Sequence, residues 1–449
     1  MIRKFAIKAL VVFLSSIFSF VSFPGILTAN NNIKELTLKE AIQIATTNNY
    51  LIKETIEKQR AALEAEKSAT ADLLPKLSAS YSYMRLKHSP YAVFSYSELP
   101  IGSQKVNVGD KDNYGWDVTM TQPLFTGFAL ITKRKIAQLG VEISKVEHEQ
   151  AILDITKQVK IAYYRILLAK RLVDVAEEEV RQLEAHAKDA ELFYKQELIP
   201  RNDVLKSKVA LAQAKQKLVK ARSDYKIAVS ALNNLLGWDI SKTISVEDIS
   251  GFKSQEYHEK ELFEKALKDR PELRILRTAI QGAELGIRMA RSAYFPNVYL
   301  VGRYEQKGED ILAKTNNYTN SHNASIGVEA KWTFFEWGKT RAEVKKTFHQ
   351  KNALVERLKG IEDSVKLEVR DAIQRLNVAK QNVKTAKKAL AQAKENYRIT
   401  NLQYQQQVTT STEVLDARTY LTQAEVNFYG ALYGYMMAEA ELARATGRK

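Results

Sequence analysis

Two long stretches of the chain place apolar residues at alternating spacings of three and four. The first covers residues 128–196 and the second covers residues 339–405. A stripe that repeats every 3.5 residues is typical of a coiled-coil seam. At 1.5 Å per residue, each stretch predicts a helix about 100 Å long. The stripes consist of Ile152, Ile155, Val159, Ala162, Ile166, Ala169, Val173, Ala176, Val180, Leu183, Ala187, Ala190 and Tyr194, and of Val365, Val369, Ala372, Leu376, Ala379, Val383, Ala386, Leu390, Ala393, Tyr397 and Tyr404.

A shorter helix is predicted after each long one, over residues 203–236 and 413–445. Its stripe alternates large and small residues, as in Val204, Ser207 and Leu211 of the first such helix and Leu421, Ala424 and Phe428 of the second. Small residues at every second seam position let neighbouring helices approach closely. A soluble coiled-coil rod would explain these seams equally well, but it would not explain the segments between the helices.

Four segments alternate apolar and polar residues, over about 77–87, 114–124, 296–306 and 323–335, although the alternation is less clean in residues 297–304. This alternation predicts half-buried strands of about ten residues. Strands that span a lipid bilayer have this length and pattern, although two hairpins of a soluble sandwich would look nearly the same. The connecting stretches, residues 87–113 and 307–322, are rich in Ser, Asn, Gly and Tyr, so we expect exposed extracellular loops there.

The chain contains an internal duplication. Residues 194–205 align with residues 404–415 at a shift of 210, whereas Leu74-Pro75 aligns with Phe295-Pro296 at a shift of 221. The first half therefore holds 11 extra residues between its strands. Two structural repeats are predicted, residues 30–240 and 259–449, each with a helix, two strands, a long helix and a second helix. Residues 241–258 form the linker, or equatorial segment.

The N-terminal residues 1–29 resemble a secretory signal peptide. Arg3, Lys4 and Lys8 precede an apolar run that serines interrupt, and this run is shorter than the roughly 20 residues of a membrane-spanning anchor. We expect cleavage near Ala29. The chain has no cysteine, so lipidation of an N-terminal Cys is excluded. Export then implies the periplasm, the outer membrane or beyond.

After the leader, the sequence has no other apolar stretch long enough to cross a bilayer as a helix. Any part of the mature chain that crosses a membrane must therefore do so as β-strands. A membrane does not tolerate an open sheet edge, and known barrels begin at about eight strands. Four strands per chain would therefore require an oligomer.

Charge and chemistry add little to this interpretation. The formal charge is +16, but Lys and Arg are scattered between acidic residues along helix faces, so no nucleic-acid partner is expected. The six histidines lie far apart in sequence and are interpreted as surface or interface residues. No catalytic, cofactor or metal motif occurs, so we expect neither an enzyme nor a cofactor or metal site.

The predicted helices and strands occur in the same order in both repeats. This arrangement resembles the outer-membrane efflux protein family of TolC-like channels. The resemblance implies a mainly α fold with a membrane β-barrel contribution, in which a homotrimer forms a 12-stranded barrel in outer-membrane lipid and a helical tunnel in the periplasm. It also implies a passive exit duct for a tripartite efflux pump or a type I secretion system, with a periplasmic adaptor (membrane fusion) protein and an inner-membrane transporter as partners. The matching motifs are Leu36-Thr-Leu-Lys-Glu-Ala-Ile42 with Asn48-Asn49, Ala266-Leu-Lys-Asp-Arg-Pro-Glu-Leu273, Leu74-Pro75, Phe295-Pro296, Gln122-Pro-Leu-Phe-Thr-Gly127 and Trp332-Thr-Phe-Phe-Glu-Trp-Gly338.

The resemblance also implies functional roles at the turns that follow the two long helices. Glu413 and Asp416 match a cation-selective gate ring, and Tyr404 with Asp203 matches the lock of that gate, in which the tyrosine bonds the acid. The residues implied to contact the adaptor tip are Glu197, Leu198, Ile199, Gln407, Val408 and Thr409. Among these, Glu197 and Gln407 stand where the family has glycine, and Thr409 stands where it has a basic residue.

Two alternatives stay open from the residues themselves. Glu413 and Asp416 are three apart at a helix start, so they project to one side and would form a ring of six carboxylates in a trimer. Alternatively, Thr412 or Glu413 could simply cap that helix. For the whole chain, the alternative to a channel is a periplasmic coiled-coil tether or scaffold without a conduit.

Overall fold

A computed structural model describes residues 35–94, 103–249 and 256–448. The predicted leader lies outside these ranges, as does part of the linker. The elements of the first repeat are α1 (Leu38–Asn48), α2 (Tyr50–Ala71), β1 (Lys76–Arg85), β2 (Tyr91–Phe94), β3 (Gln104–Asn107), β4 (Asp112–Thr126), α3 (Ala129–Lys195) and α4 (Arg201–Leu236).

The second repeat has the same order of elements, except that it lacks a counterpart of β2 and β3 among the described residues. Its elements are α5 (Glu259–Asp269), α6 (Pro271–Arg291) with a short 3-10 turn after it, β5 (Asn297–Gly308), β6 (His322–Lys331), α7 (Lys339–Gln405) and α8 (Ser411–Ala445). Helices α3 and α7 contain 67 residues each. Their bounds differ by the shift of 210 that the sequence motifs gave, so the duplication is present in the fold.

Strands β1, β4, β5 and β6 form one antiparallel sheet in that order. The register places Leu77 opposite Met120, and Tyr304 opposite both Val118 and Ala324. Residues directly opposite each other share a face, so one face is apolar across all four strands. The other face is polar, and there the Arg303 guanidinium lies 3.4 Å from the Asp117 carboxylate.

The strand ends differ from the prediction in two places. The strand predicted over residues 323–335 ends at Lys331, because Lys331 pairs with Asn297 at the start of β5 and no residue of β5 lies beyond it. Strand β4 continues to Thr126 through a bulge between Pro123 and Phe125, where proline has no N–H to donate. The additional hairpin β2–β3 lies in the 27-residue stretch that the sequence analysis treated as a loop.

The helices pack around two apolar cores, one centred on α1, α3 and α4 and the other on α5, α7 and α8. In the first core, the buried Tyr163 hydroxyl lies 2.8 Å from the carbonyl oxygens of both Leu36 and Glu247. Leu36 also forms a parallel bridge with Val246. The equatorial segment is therefore tied to the start of the first repeat and to the middle of α3.

A buried ionic network joins the two repeats near the end of α8. The Arg444 guanidinium donates to Asp154 of α3 at 2.5 Å and to Glu272 of α6 at 2.6 Å, and Glu272 also accepts from Arg270 at 3.1 Å. Burial alone would raise the pKa of Glu272, but its hydrogen bonds with the two arginines lower the pKa to about 2. The carboxylate therefore stays ionised inside the protein.

No helix within the described ranges is both long and apolar enough to cross a membrane.

Candidate functional site: the turns between the paired helices

The turn between α3 and α4 is closed by a nested pair of backbone hydrogen bonds. The Glu197 N–H donates to the Tyr194 carbonyl at 2.9 Å, and the Leu198 N–H donates to the Phe193 carbonyl at 2.9 Å. This is the Schellman arrangement, which requires a left-handed residue after the helix. Glu197 supplies it with φ 60°, although a β-carbon makes that region unfavourable.

The turn between α7 and α8 repeats the same geometry. The Gln407 and Val408 N–H groups donate to the Tyr404 and Gln403 carbonyls, each at 2.9 Å. Gln407 has φ 61°. Both turns thus keep the backbone shape that suits glycine without containing glycine.

Helix α8 begins two residues before the predicted start at 413. Thr410 is the N-cap residue, and its hydroxyl accepts from the Glu413 N–H at 3.4 Å. The suggestion that Thr412 or Glu413 caps this helix was therefore wrong. Helix α4 likewise begins at Arg201 rather than at 203, because Pro200 is its extended N-cap residue.

The predicted gate carboxylates, Glu413 and Asp416, both lie exposed on the first two turns of α8. Since Thr410 provides the cap, neither side chain is needed for that purpose. The predicted adaptor-contact residues lie at the tips of both turns, where the apolar side chains of Leu198 and Val408 are 48% and 75% exposed. Ile199 and Thr409 are half-buried beside them.

Behind the tips, a polar network links three helices. His186 Nε2 of α3 lies 2.8 Å from Ser411 Oγ of α8, which lies 3.2 Å from Ser207 Oγ of α4. All three side chains are buried. Burial lowers the pKa of His186 to about 4, so its imidazole is neutral at pH 7.

The predicted bond of the gate lock, between Tyr404 and Asp203, is not formed in this protomer. The Tyr404 hydroxyl is buried and interacts with Ser411, although it lies outside strict hydrogen-bonding geometry with every described residue. Its pKa is raised, chiefly by burial, and the interaction with Ser411 opposes that rise. The Asp203 carboxylate instead pairs with Lys206 at 3.7 Å. The Tyr404 ring packs against His186, with centroids 4.8 Å apart.

Comparison with known proteins identifies the family. The model of the family described as "Outer membrane efflux protein" matches residues 41–238 and 262–448, which are the two repeats. The chain belongs to the outer membrane efflux protein family. This family consists of channels, and as a member the chain is an outer-membrane channel protein for efflux.

Individual relatives of this outer membrane efflux protein are distant in sequence but similar in fold. The chain is 22% identical to the outer membrane protein TolC of Vibrio cholerae over 416 residues, covering 91% of this chain and 90% of the relative. It superposes on the outer membrane channel CmeC of Campylobacter jejuni with a TM-score of 0.77 at 16% identity, covering 91% and 85% of the two chains. For the outer membrane protein VceC of Vibrio cholerae the TM-score is 0.75 at 15% identity, covering 92% and 96%.

Sequence reasoning about this outer membrane efflux protein missed the role of His186. It interpreted all six histidines together as surface or interface residues and did not single out His186, which is an interface residue only 4% exposed between the helices. A signal was available, because His186 follows Leu183 by three residues and therefore lies beside the apolar stripe of α3. Ser207, by contrast, was part of the predicted stripe of α4 only as a small residue.

Proposed function

We propose that three copies of the chain assemble into one channel whose membrane wall is a closed sheet of twelve strands. The observation that carries this proposal is the four-stranded sheet, whose outer strands β1 and β6 each have one edge without a partner among the described residues. An open edge cannot face lipid. Joining three sheets edge to edge closes every edge, directs the apolar faces towards lipid and leaves the polar faces around the lumen.

The subunit count is tested by native mass spectrometry of the mature protein in mild detergent. We expect a trimer that resists the detergent at room temperature and dissociates on heating. A stable monomer under the same conditions would overturn the proposal and would favour the periplasmic tether.

We infer that the helical end of the channel docks onto a periplasmic adaptor, which links it to an inner-membrane transporter. The support is the pair of exposed apolar side chains, Leu198 and Val408, at the tips of the two turns. Apolar side chains exposed at the end of a rod are typical of a contact site. The neighbours Glu197, Ile199, Gln407 and Thr409 complete this surface.

We infer further that Glu413 and Asp416 form the cation-selective constriction of the channel. Both are exposed on one end of α8, and three-fold symmetry would bring six carboxylates around one axis, where such rings select cations. The Glu413→Ala, Asp416→Ala double variant should therefore show a weaker cation preference and weaker block by multivalent cations in planar bilayers.

The matched control is the Glu343→Ala, Glu356→Ala double variant, which removes two exposed carboxylates from α7 far from the turns. It should keep the selectivity of the unmodified channel. Equal selectivity in all three proteins would remove Glu413 and Asp416 from the conduction path.

A further inference from the structure

Two helical hairpins, α3–α4 and α7–α8, meet near their tips through a polar contact that lies beside the aromatic contact of Phe193 with Tyr404. Along α3 the buried stripe contains Leu183, Ala187 and Ala190, but His186 is buried among them at 4% exposure. Its partner Ser411 is the first residue of α8 and is 1% exposed. Ser207 of α4 is fully buried and completes the contact.

These three side chains make a connection that can form only when the hairpins lie together. His186 reaches Ser411 across the boundary between the two repeats at 2.8 Å, and Ser411 reaches Ser207 at 3.2 Å. The Lys206 ammonium donates to the Thr412 hydroxyl at 3.3 Å on the outside of the same contact. All of these bonds therefore hold the start of α8 against the first hairpin.

A polar contact of this kind separates more readily than an apolar one. When an apolar seam opens, its surface is exposed to water at a cost proportional to area. When a hydroxyl or imidazole is exposed, it regains hydrogen bonds to water, so the net contribution of each bond is small. The last turns of the hairpins are thus suited to come apart while the apolar seam above them stays packed.

Tyr404 contributes to the same contact mainly through its ring. The ring centroid lies 4.8 Å from that of His186 and 5.5 Å from that of Phe193. The hydroxyl lies beside Ser411 but outside strict hydrogen-bonding geometry with every described residue. Removing that hydroxyl should therefore leave the contact intact.

We propose that His186, Ser207 and Ser411 form a latch that holds the tip of the second hairpin against the first and keeps the periplasmic end of the tunnel closed. The proposal rests on the trimeric channel proposed above. It assigns to an imidazole and two hydroxyls the closing role that the resemblance gave to Tyr404 and Asp203. Release of the latch moves the start of α8, and with it Glu413 and Asp416, away from the first hairpin.

The test is the single-channel conductance of the full-length trimer in planar bilayers. His186→Phe keeps an aromatic ring but removes both nitrogens, and Ser411→Ala removes the central hydroxyl. Each variant should raise the open-to-closed ratio by roughly tenfold, the change expected for one lost buried hydrogen bond. Tyr404→Phe should behave like the unmodified protein.

The chain offers a matched control in a second imidazole–hydroxyl pair. His148 Nδ1 of α3 lies 2.8 Å from the Thr55 hydroxyl of α2, far along α3 from the turns. His148→Phe should leave the conductance unchanged. If His186→Phe and Ser411→Ala conducted like the unmodified trimer, or if Tyr404→Phe opened it, the latch proposal would be wrong.

A further variant distinguishes loss of the latch from loss of folding. His186→Gln removes the imidazole but keeps a hydrogen-bonding amide that reaches about as far along the side chain as Nε2. It should assemble as well as His186→Phe and stay closed more often. Equal opening of these two variants would contradict the latch, whereas failure of the unmodified protein to form trimeric pores would contradict the proposed function itself.

Discussion

The buried surroundings of His186 lead us to predict that closure of the channel depends on pH. Burial lowers its pKa from 6.5 to about 4, because the packed interior disfavours the imidazolium. An open, hydrated state would bind the proton more readily. The closed state should therefore keep its full stability above pH 6.5 and lose about 1.4 kcal/mol per pH unit as the pH falls from 6.5 towards 4.

We expect the open probability of the channel to be constant between pH 8 and about 6.5 and to rise between 6.5 and 5. Among the described ionisable side chains, Tyr404 of α7 contacts His186, and the carboxylates of Asp189 and Asp203 lie near enough to Tyr404 to act on it electrostatically. His186→Gln removes only the imidazole and should flatten the pH dependence, whereas His148→Gln should retain it. A slope that persists in His186→Gln would assign the effect to another of these groups.

At the two turns, the sequence predicted the positions of the residues but not their backbone conformation or the helix cap. The places of Glu197 and Gln407 were known from the alignment of the two halves, but their left-handed backbone, with φ near 60° in both, is not favoured by either side chain. Thr410 was missed as the cap because three successive residues, Thr410, Ser411 and Thr412, are all good caps. Only the backbone geometry distinguishes among them.

The long helices were the easiest elements to predict, and their seams make a further prediction. Ala176 of α3 is 7% exposed, so a larger side chain there must displace its neighbours. Ala176→Leu should lower the free energy of unfolding by about 1 to 3 kcal/mol through overpacking. Denaturant titration in detergent and the yield of trimer measure the two consequences.

Lys188→Leu is the matched control for that substitution, since it places the same side chain at an exposed position of the same helix. It should change stability by less than about 0.5 kcal/mol. Equal effects of the two substitutions would mean that α3 does not pack through this stripe.

The strands were harder to predict than the helices. Alternation located all four members of the large sheet, but it continued through Trp332 and Phe334 after the ladder had ended at Lys331. A strand ends where its partner ends, and the partner strand β5 lies in a distant part of the sequence. The short hairpin β2–β3 was missed for a related reason, since each of its strands has only four residues and shows too little periodicity.

At the scale of the molecule, the two repeats are joined by Arg444. Its side chain is 8% exposed and contacts both Asp154 and Glu272. Arg444→Met should destabilise the protein by about 3 kcal/mol or more, because the substitution leaves partly buried carboxylates without this partner. The change is measured as a shift of the denaturant midpoint.

Arg222→Met is a suitable comparison, because the ion pair of Arg222 with Glu177 at 2.8 Å lies on the surface, with the two side chains 60% and 48% exposed. Its loss should cost less than about 1 kcal/mol. If Arg444→Met cost no more than Arg222→Met, the buried network would not hold the repeats together. The sequence did not reveal this network, because its members come from three helices that only the fold brings together.

The equal lengths of α3 and α7 also restrict how a gene for such a protein can change. With 67 residues in each helix, both tips lie the same number of turns below the strands. Seven residues added to one helix would lower its tip by about 10 Å relative to the other, and His186 would no longer meet Ser411. The same addition made in both repeats, and in the helices that return from the tips, would preserve every contact. An insertion or deletion in one of these helices should therefore persist only if the other three helices of the two hairpins change by the same number of residues. The length of the tunnel should then change in both repeats at once.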